Sequence, residues 1–333
     1  MTDVARVRFS PDRNQISYSY SFALLAPALW AGNFVVGRAV HQSVPPLTLN
    51  CLRWLIALLI LLPLFGRTAW QARDEFIRKR RSIGLLAMTG VIGFNSLLYV
   101  GLQHTTALSA AMIFSITPLL ILGISVWLRD TRISILQMGV GTLSVFGALV
   151  ILGGNVRELG SSWFVIGNFI VLLSCFVWAT YCVAIKRCPI NADSGSILLV
   201  SVVCSLAIQI PLSIGELAIT GLPHINYSAL VGVAYLGIGA AALGFVIWQR
   251  AVSDLGATRC GVFLNFVPVF GVFMSIVILR EPLQLHHIIG GVCVATGVAL
   301  AQVKDYAFAY QTLEKIRAGT GNPAPRSRGT DDE

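Results

Sequence analysis

The chain has 333 residues, 56% of them hydrophobic and only 12% charged, with a mean hydropathy of +0.76 and a formal net charge of +9. An ordinary soluble domain carries about 25% charged residues, and a soluble core cannot hide this much apolar surface, so the composition excludes that class. The positive balance would suit nucleic acid, but the basic residues fall between apolar runs instead of along one stripe, and no nucleic-acid motif or partner is expected.

A helix needs about 20 apolar residues to cross the hydrocarbon of a bilayer, and ten stretches of that order can be marked between short polar breaks. The first five run Tyr20 to Gly37, Leu47 to Phe65, Ile83 to Leu102, Ala107 to Leu128 and Ile133 to Leu152, separated by breaks such as Pro45-Pro46 and the basic run Arg73 to Arg81. The second five run Trp163 to Ile185, Ile197 to Ile219, Ala229 to Trp248, Ala257 to Leu279 and Leu285 to Ala301, broken by Pro189, Pro223, Asp254 and Glu281-Pro282. Strands of a membrane barrel would be half this length with alternating polarity, so the fold class expected is an all-α polytopic membrane protein. The first stretch lacks a small-residue cleavage site and is read as a retained helix.

Residues 1–19 thus form an N-terminal segment, 20–152 and 163–301 two groups of five helices, and 302–333 a tail. With an even number of spans both termini share one side, and twenty of the 24 Lys and Arg residues then fall on that side, leaving Arg38, Arg53, Arg157 and Arg280 for the other. Basic loops stay in the cytoplasm, so both termini are expected there. The tail is largely of disordered composition, rich in Gly, Pro and terminal acids. Its start, from Tyr306 to Arg317, has the makings of a short amphipathic surface helix.

Displacing the chain on itself by 148 to 150 residues brings Trp30-Ala31 onto Trp178-Ala179, Ala107 onto Ala257, Pro118 onto Pro268, Gly141 onto Gly291 and Gly147 onto Gly297. Because each group holds five helices, an odd number, equivalent helices must cross in opposite senses, which gives inverted repeats. Such chains bind substrate between the repeats.

These residues resemble the EamA-type transporters of the drug/metabolite transporter superfamily. The resemblance covers Tyr20 to Gln302 and rests on the Trp-centred first helices, Arg53-Trp54, the stretch Gly101 to Ala111, the paired prolines and Arg280-Glu281-Pro282 before a glycine-rich last helix. After the fourth span, where the family usually shows a glutamate, this chain has Asp130-Thr131. The resemblance implies export of metabolites such as amino acids across a bacterial inner membrane.

Polar side chains in hydrocarbon are costly and face a cavity or a partner helix. Asn33, Asn95 and Asn265 are such residues, each spaced to share a helix face with an aromatic or a proline. They either line a pocket or join helices by hydrogen bonds. The aromatics Trp30, Tyr99, Trp178, Tyr181 and Trp248 supply apolar walls for a small organic ligand; Tyr99 and Trp248, near predicted span ends, also suit interfacial anchors. Pro118 and Pro268, placed mid-span, are candidate hinges or static kinks. Glu216 is the lone acid inside a predicted span and sits near its outer end, while Arg38 and Arg53, near the outer ends of their spans, either attract a carboxylate or, as the favoured reading, snorkel toward headgroups, so a neutral, zwitterionic or anionic substrate without ion coupling is expected.

The function expected is therefore an inner-membrane exporter of amino acids, including neutral and aromatic ones, or related small metabolites, working as a monomer with no cofactor and no metal. A membrane-embedded enzyme acting on a lipid is the alternative. It would need clustered His, Asp or Glu, and His286-His287 is the one dense pair. The seven scattered cysteines, with no CxxC, read as packing residues.

Overall fold

A computed structural model of the chain describes residues 13–128, 162–255 and 263–296, together with positions 142, 143, 146, 147, 149, 150 and 260. The described residues are helical and contain no strand. Among the described residues seven helices are long and apolar enough to span a membrane, and two shorter apolar helices follow. We label them α1 (Arg13–Ala39), α2 (Pro46–Gln71), α3 (Arg80–Leu102), α4 (Ala107–Trp127), α5 (Ser162–Arg187), α6 (Ser194–Thr220), α7 (Tyr227–Leu255), α8 (Phe266–Leu279) and α9 (Leu285–Thr296). The predicted span Ile133 to Leu152 and the amphipathic tail segment lie mainly or wholly outside the described residues.

Helix starts follow from local sequence. Pro46 occupies the first turn of α2, where its missing N–H costs nothing. Thr106, Asp193 and Asn226 accept from the backbone N–H three residues on and so cap α4, α6 and α7. At its far end α8 stops on Arg280, whose φ of 54° lies in the left-handed region.

The helices interleave: α2 packs along α6, α1 along α7 and α8, and α5 along α3 and α4. Small residues make the contacts close, with Ala23, Ala26, Ala31, Ala179, Ala240 and Ala251 fully buried. The outer faces are apolar, as at Leu59 and Phe169, and Trp70, Trp127, Trp163 and Tyr227 stand exposed near span ends, where the membrane interface accommodates their polar edges.

Regular α-helical winding is broken in two ways. Segments Ala87–Gly93 of α3 and Tyr235–Leu243 of α7 are π-helical. Also, α4 is interrupted at Ser115-Ile116, so Pro118 lies in the first turn of Thr117–Trp127. Pro268 is likewise the third residue of α8. Pro118 still keeps the expected mid-span place in Ala107–Trp127, and both prolines stand in the first turn of a helical segment, where the N–H that proline lacks is not needed.

Candidate substrate cavity

Arg53 lies about two turns into α2, on the buried stripe that also carries Asn50, Trp54, Ala57 and Leu61. It is only 3% exposed. Its Nη1 donates to Asn33 Oδ1 at 3.2 Å, to Tyr99 Oη at 3.1 Å and to Asn95 Oδ1. Tyr99 in turn donates to Asn33 Oδ1 at 2.6 Å, and the Asn33 amide donates to Asn95 Oδ1 at 3.4 Å. Three helices thus meet in one buried polar layer. The expectation that Arg53 snorkels is corrected: it is too deep in α2, and three neutral oxygens hold its head inside the bundle. No ion pair joins Arg53 to an acid among the described residues, and its Nε has no hydrogen-bond partner.

Below this layer a cavity of about 1150 Å³ reaches to the α5–α6 connection, at Cys188 and Pro189, and to Val252 and Ser253 at the end of α7. That is the end of the molecule carrying the basic segments Arg73 to Arg81 and Lys186-Arg187. Above the layer the bundle is closed by Leu98, Leu102, Ala107 and Leu108, none with exposed surface.

The walls are aromatic. Trp30 contacts Phe245 at 5.5 Å and Trp248 at 5.4 Å between ring centroids, and Trp178 contacts Phe94 and Tyr181, both at 4.9 Å. Room for Tyr181 comes from Gly90 in the π segment of α3: a Cβ there would stand 2.4 Å from the ring. The indole N–H of Trp30 donates to Ala240 O and that of Trp54 to Val91 O, both at 3.1 Å and both into π segments. Asn50 adds bonds to Val91 O and Ile92 O.

At the closed end, two carboxylates cap helix starts across the molecule. Glu216 of α6 accepts from Leu47 N, Thr48 N and Thr48 Oγ1 at 3.0, 2.7 and 2.8 Å. Glu281, between α8 and α9, accepts from Ala107 N and Leu108 N at 2.9 and 2.7 Å. Burial pushes the Glu281 carboxyl above its usual range, opposed by those two N–H groups and by the charge of Arg38. Arg38 itself does not simply snorkel, since it donates to Leu102 O at the end of α3 and to Gln103 O just beyond it. His287 accepts from Gln284 N at Nδ1, which leaves Nε2 to donate to Ser109 Oγ at 3.2 Å. Among the described residues no group of three or more His, Cys, Asp or Glu could hold a metal.

Of the residues singled out from sequence, Trp30, Asn33, Asn95, Trp178, Tyr181, Trp248 and Asn265 line the cavity, as do Pro118 and Pro268. Tyr99 stands behind it, 1% exposed, reaching the site through its hydroxyl. Sequence reasoning weighed Arg53 as a carboxylate partner but favoured snorkelling, and it did not offer Trp54 or Phe245 as site residues.

The model of the EamA-like transporter family matches the chain twice, over residues 17–153 and 165–302. The chain is similar to the uncharacterized transporter YetK of Bacillus subtilis, 26% identical over 297 residues that cover 86% of this chain and 87% of that one. It is also similar to a probable amino-acid metabolite efflux pump of Salmonella typhimurium, 23% identical over 83% of this chain and 92% of that one. A solved crystal structure shares the fold, with a TM-score of 0.58 at 21% identity, covering 88% of this chain and 99% of that chain.

Proposed function

Because this chain belongs to the EamA-like transporter family and is a multi-pass membrane transporter, we propose that it exports small organic metabolites, foremost amino acids and their derivatives, by alternating access around the central cavity. The observation that carries this reading is the cavity itself. It is walled by helices from both matched segments, reaches one end of the bundle and is sealed at the other. A carrier needs a site reachable from one side at a time, and inverted repeats supply that by rocking about the site.

Ten spans in two inverted five-helix repeats give the frame. The double family match supports it, as do the two π segments, which begin at Ala87 and Tyr235, 148 residues apart and within the range at which the chain superposes on itself. With both termini in the cytoplasm of a bacterial cell, the cavity faces inward, the state in which an exporter loads cargo. Trp30, Asn33, Asn95, Trp178, Tyr181, Trp248 and Asn265 contact the substrate, Tyr99 positions Asn33, and the helix breaks before Pro118 and Pro268 bend as the cavity changes sides. A monomer holds one complete pathway. The amino-acid class draws support from the named substrate of the Salmonella relative.

The test is counterflow in proteoliposomes with radiolabelled neutral and aromatic amino acids and their N-acyl and deaminated derivatives, with and without a proton gradient. Saturable counterflow abolished by replacing Trp30 and Asn33 together supports the proposal. Transport unaltered in that double variant removes the cavity as the site.

A further inference from the structure

We propose that the cavity selects organic monoanions: its preferred cargo joins one carboxylate, anchored by Arg53, to an aromatic-sized apolar body, and carries no free ammonium group. This rests on the reading of the cavity as the substrate site and sharpens it to a charge class.

Arg53 is a cation held out of water without a counterion among the described residues. Its three bonds, all from Nη1, run to neutral oxygens, and its Nε is unpartnered. A guanidinium pairs best with a carboxylate that meets two of its N–H groups at once. Arg53 lines the cavity, so an entering carboxylate supplies the missing charge at the place where burial makes it most needed.

An ammonium finds the reverse. Of the six acidic residues among the described positions none lines the cavity, although Asp193 and Asp254 adjoin its mouth, and all six already have partners. Asp74 and Glu75 pair with arginines of the short helix Arg73–Arg78, Asp193 caps α6, Asp254 bonds Ser19 and Arg250, and Glu216 and Glu281 cap α2 and α4. Neutral oxygens can also hold an ammonium, but the nearest ones, Oδ1 of Asn33 and of Asn95, already accept from Arg53. A zwitterion anchored at Arg53 therefore places its ammonium close to a desolvated positive charge, where repulsion is strong. The remaining walls near the layer, Trp30, Trp54, Phe94 and Phe245, suit an aryl or branched alkyl body. Amino acids with an acylated nitrogen and arylalkanoic acids meet these terms; free amino acids meet them only in part.

The experiment titrates the tryptophan fluorescence of the purified full-length protein with four probes of nearly one shape: 3-phenylpropanoate, N-acetylphenylalanine, phenylalanine and 3-phenylpropanamide. The same four are then run in counterflow. The two anions are expected to bind at least tenfold more tightly than phenylalanine and than the amide. Asn95→Asp gives Arg53 a permanent counterion, so it should raise the unfolding temperature while abolishing the preference for the anions. Arg53→Lys, which keeps charge but not the fork, should weaken both anions. Phenylalanine binding as tightly as the anions, held by cation–π contact with the tryptophans, would overturn the inference and leave the transport reading standing, as would equal binding of the amide. If Asn95→Asp keeps the anion preference, Arg53 is not the anchor. If no probe binds or exchanges, the inference and the substrate-site reading fall together.

Discussion

The indole N–H of Trp30 donates to the carbonyl of Ala240 at 3.1 Å, inside the π-helical stretch of α7. There the N–H of Gly244 reaches back five residues to Gly239 O, and the neighbouring carbonyl takes the indole instead. On α3 the N–H of Phe94 reaches Thr89 O, and Val91 O takes the indole of Trp54. Widened turns leave carbonyls without helical partners, which in hydrocarbon must be satisfied by side chains.

Trp54→Phe and Trp30→Phe keep most of the ring bulk and remove the donor. Each should destabilise the protein by about 1–3 kcal/mol, the cost of stranding a buried acceptor. Trp70→Phe, at a position 71% exposed, should cost almost nothing. Thermal unfolding in detergent compares the three, and equal losses would show that the indole bonds contribute nothing.

Gly90→Ala would put a methyl group 2.4 Å from the Tyr181 ring, which is stacked on Trp178. The ring must swing, and with it one wall of the cavity, so the expected loss is about tenfold in substrate affinity, or ~1.4 kcal/mol. Adding Tyr181→Leu should restore part of it. A single variant with unchanged counterflow KM would place Tyr181 outside the site.

Glu281 has its pKa raised, with burial the largest cause. A raised native value means that the folded state binds the proton more tightly than the unfolded chain, so the Glu281 contribution to stability grows as pH falls and is lost as pH rises through the native pKa. Glu281→Gln has no such dependence. The unfolding temperature of wild type minus that of the variant should therefore increase on acidification from neutral pH; a flat difference contradicts the assignment.

Orientation is open to labelling. In a cysteine-free background, Ile225→Cys in the α6–α7 connection should react with an impermeant maleimide added to whole cells, and Arg78→Cys should react only after lysis. The opposite pattern would invert the topology and turn the cavity outward.

The spans were legible because apolar runs of the right length are a direct demand of the bilayer, and Tyr18–Ala39, Arg80–Leu102 and Ser194–Thr220 fall within a few residues of the stretches marked from sequence. Cavity residues such as Trp30 and Asn95 stood out because polar or bulky groups in such runs need a reason. Arg53 was misjudged for a related cause: snorkelling weighs the length of a side chain but not its surroundings, and the three oxygens that hold Arg53 come from Asn33, Asn95 and Tyr99, up to 46 residues away. The roles of Glu216 and Glu281 were equally hidden, since the helix starts they cap lie 169 and 174 residues earlier in the chain. The π segments left a faint trace in Gly90, Gly93, Gly237 and Gly239, but glycines serve helix packing equally well.

A π turn also sets rotational phase. Each residue of an α-helix advances the side chain by about 100°, and one extra residue accommodated in a widened turn shifts everything beyond it by that angle. On α3 everything beyond means Asn95 and Tyr99; on α7 it means Phe245 and Trp248. The widened turns at Ala87–Gly93 and Tyr235–Leu243 thus work as two matched angular offsets. Losing one residue from either would leave a well-formed helix with its polar or aromatic face turned about a quarter-circle away from the cavity.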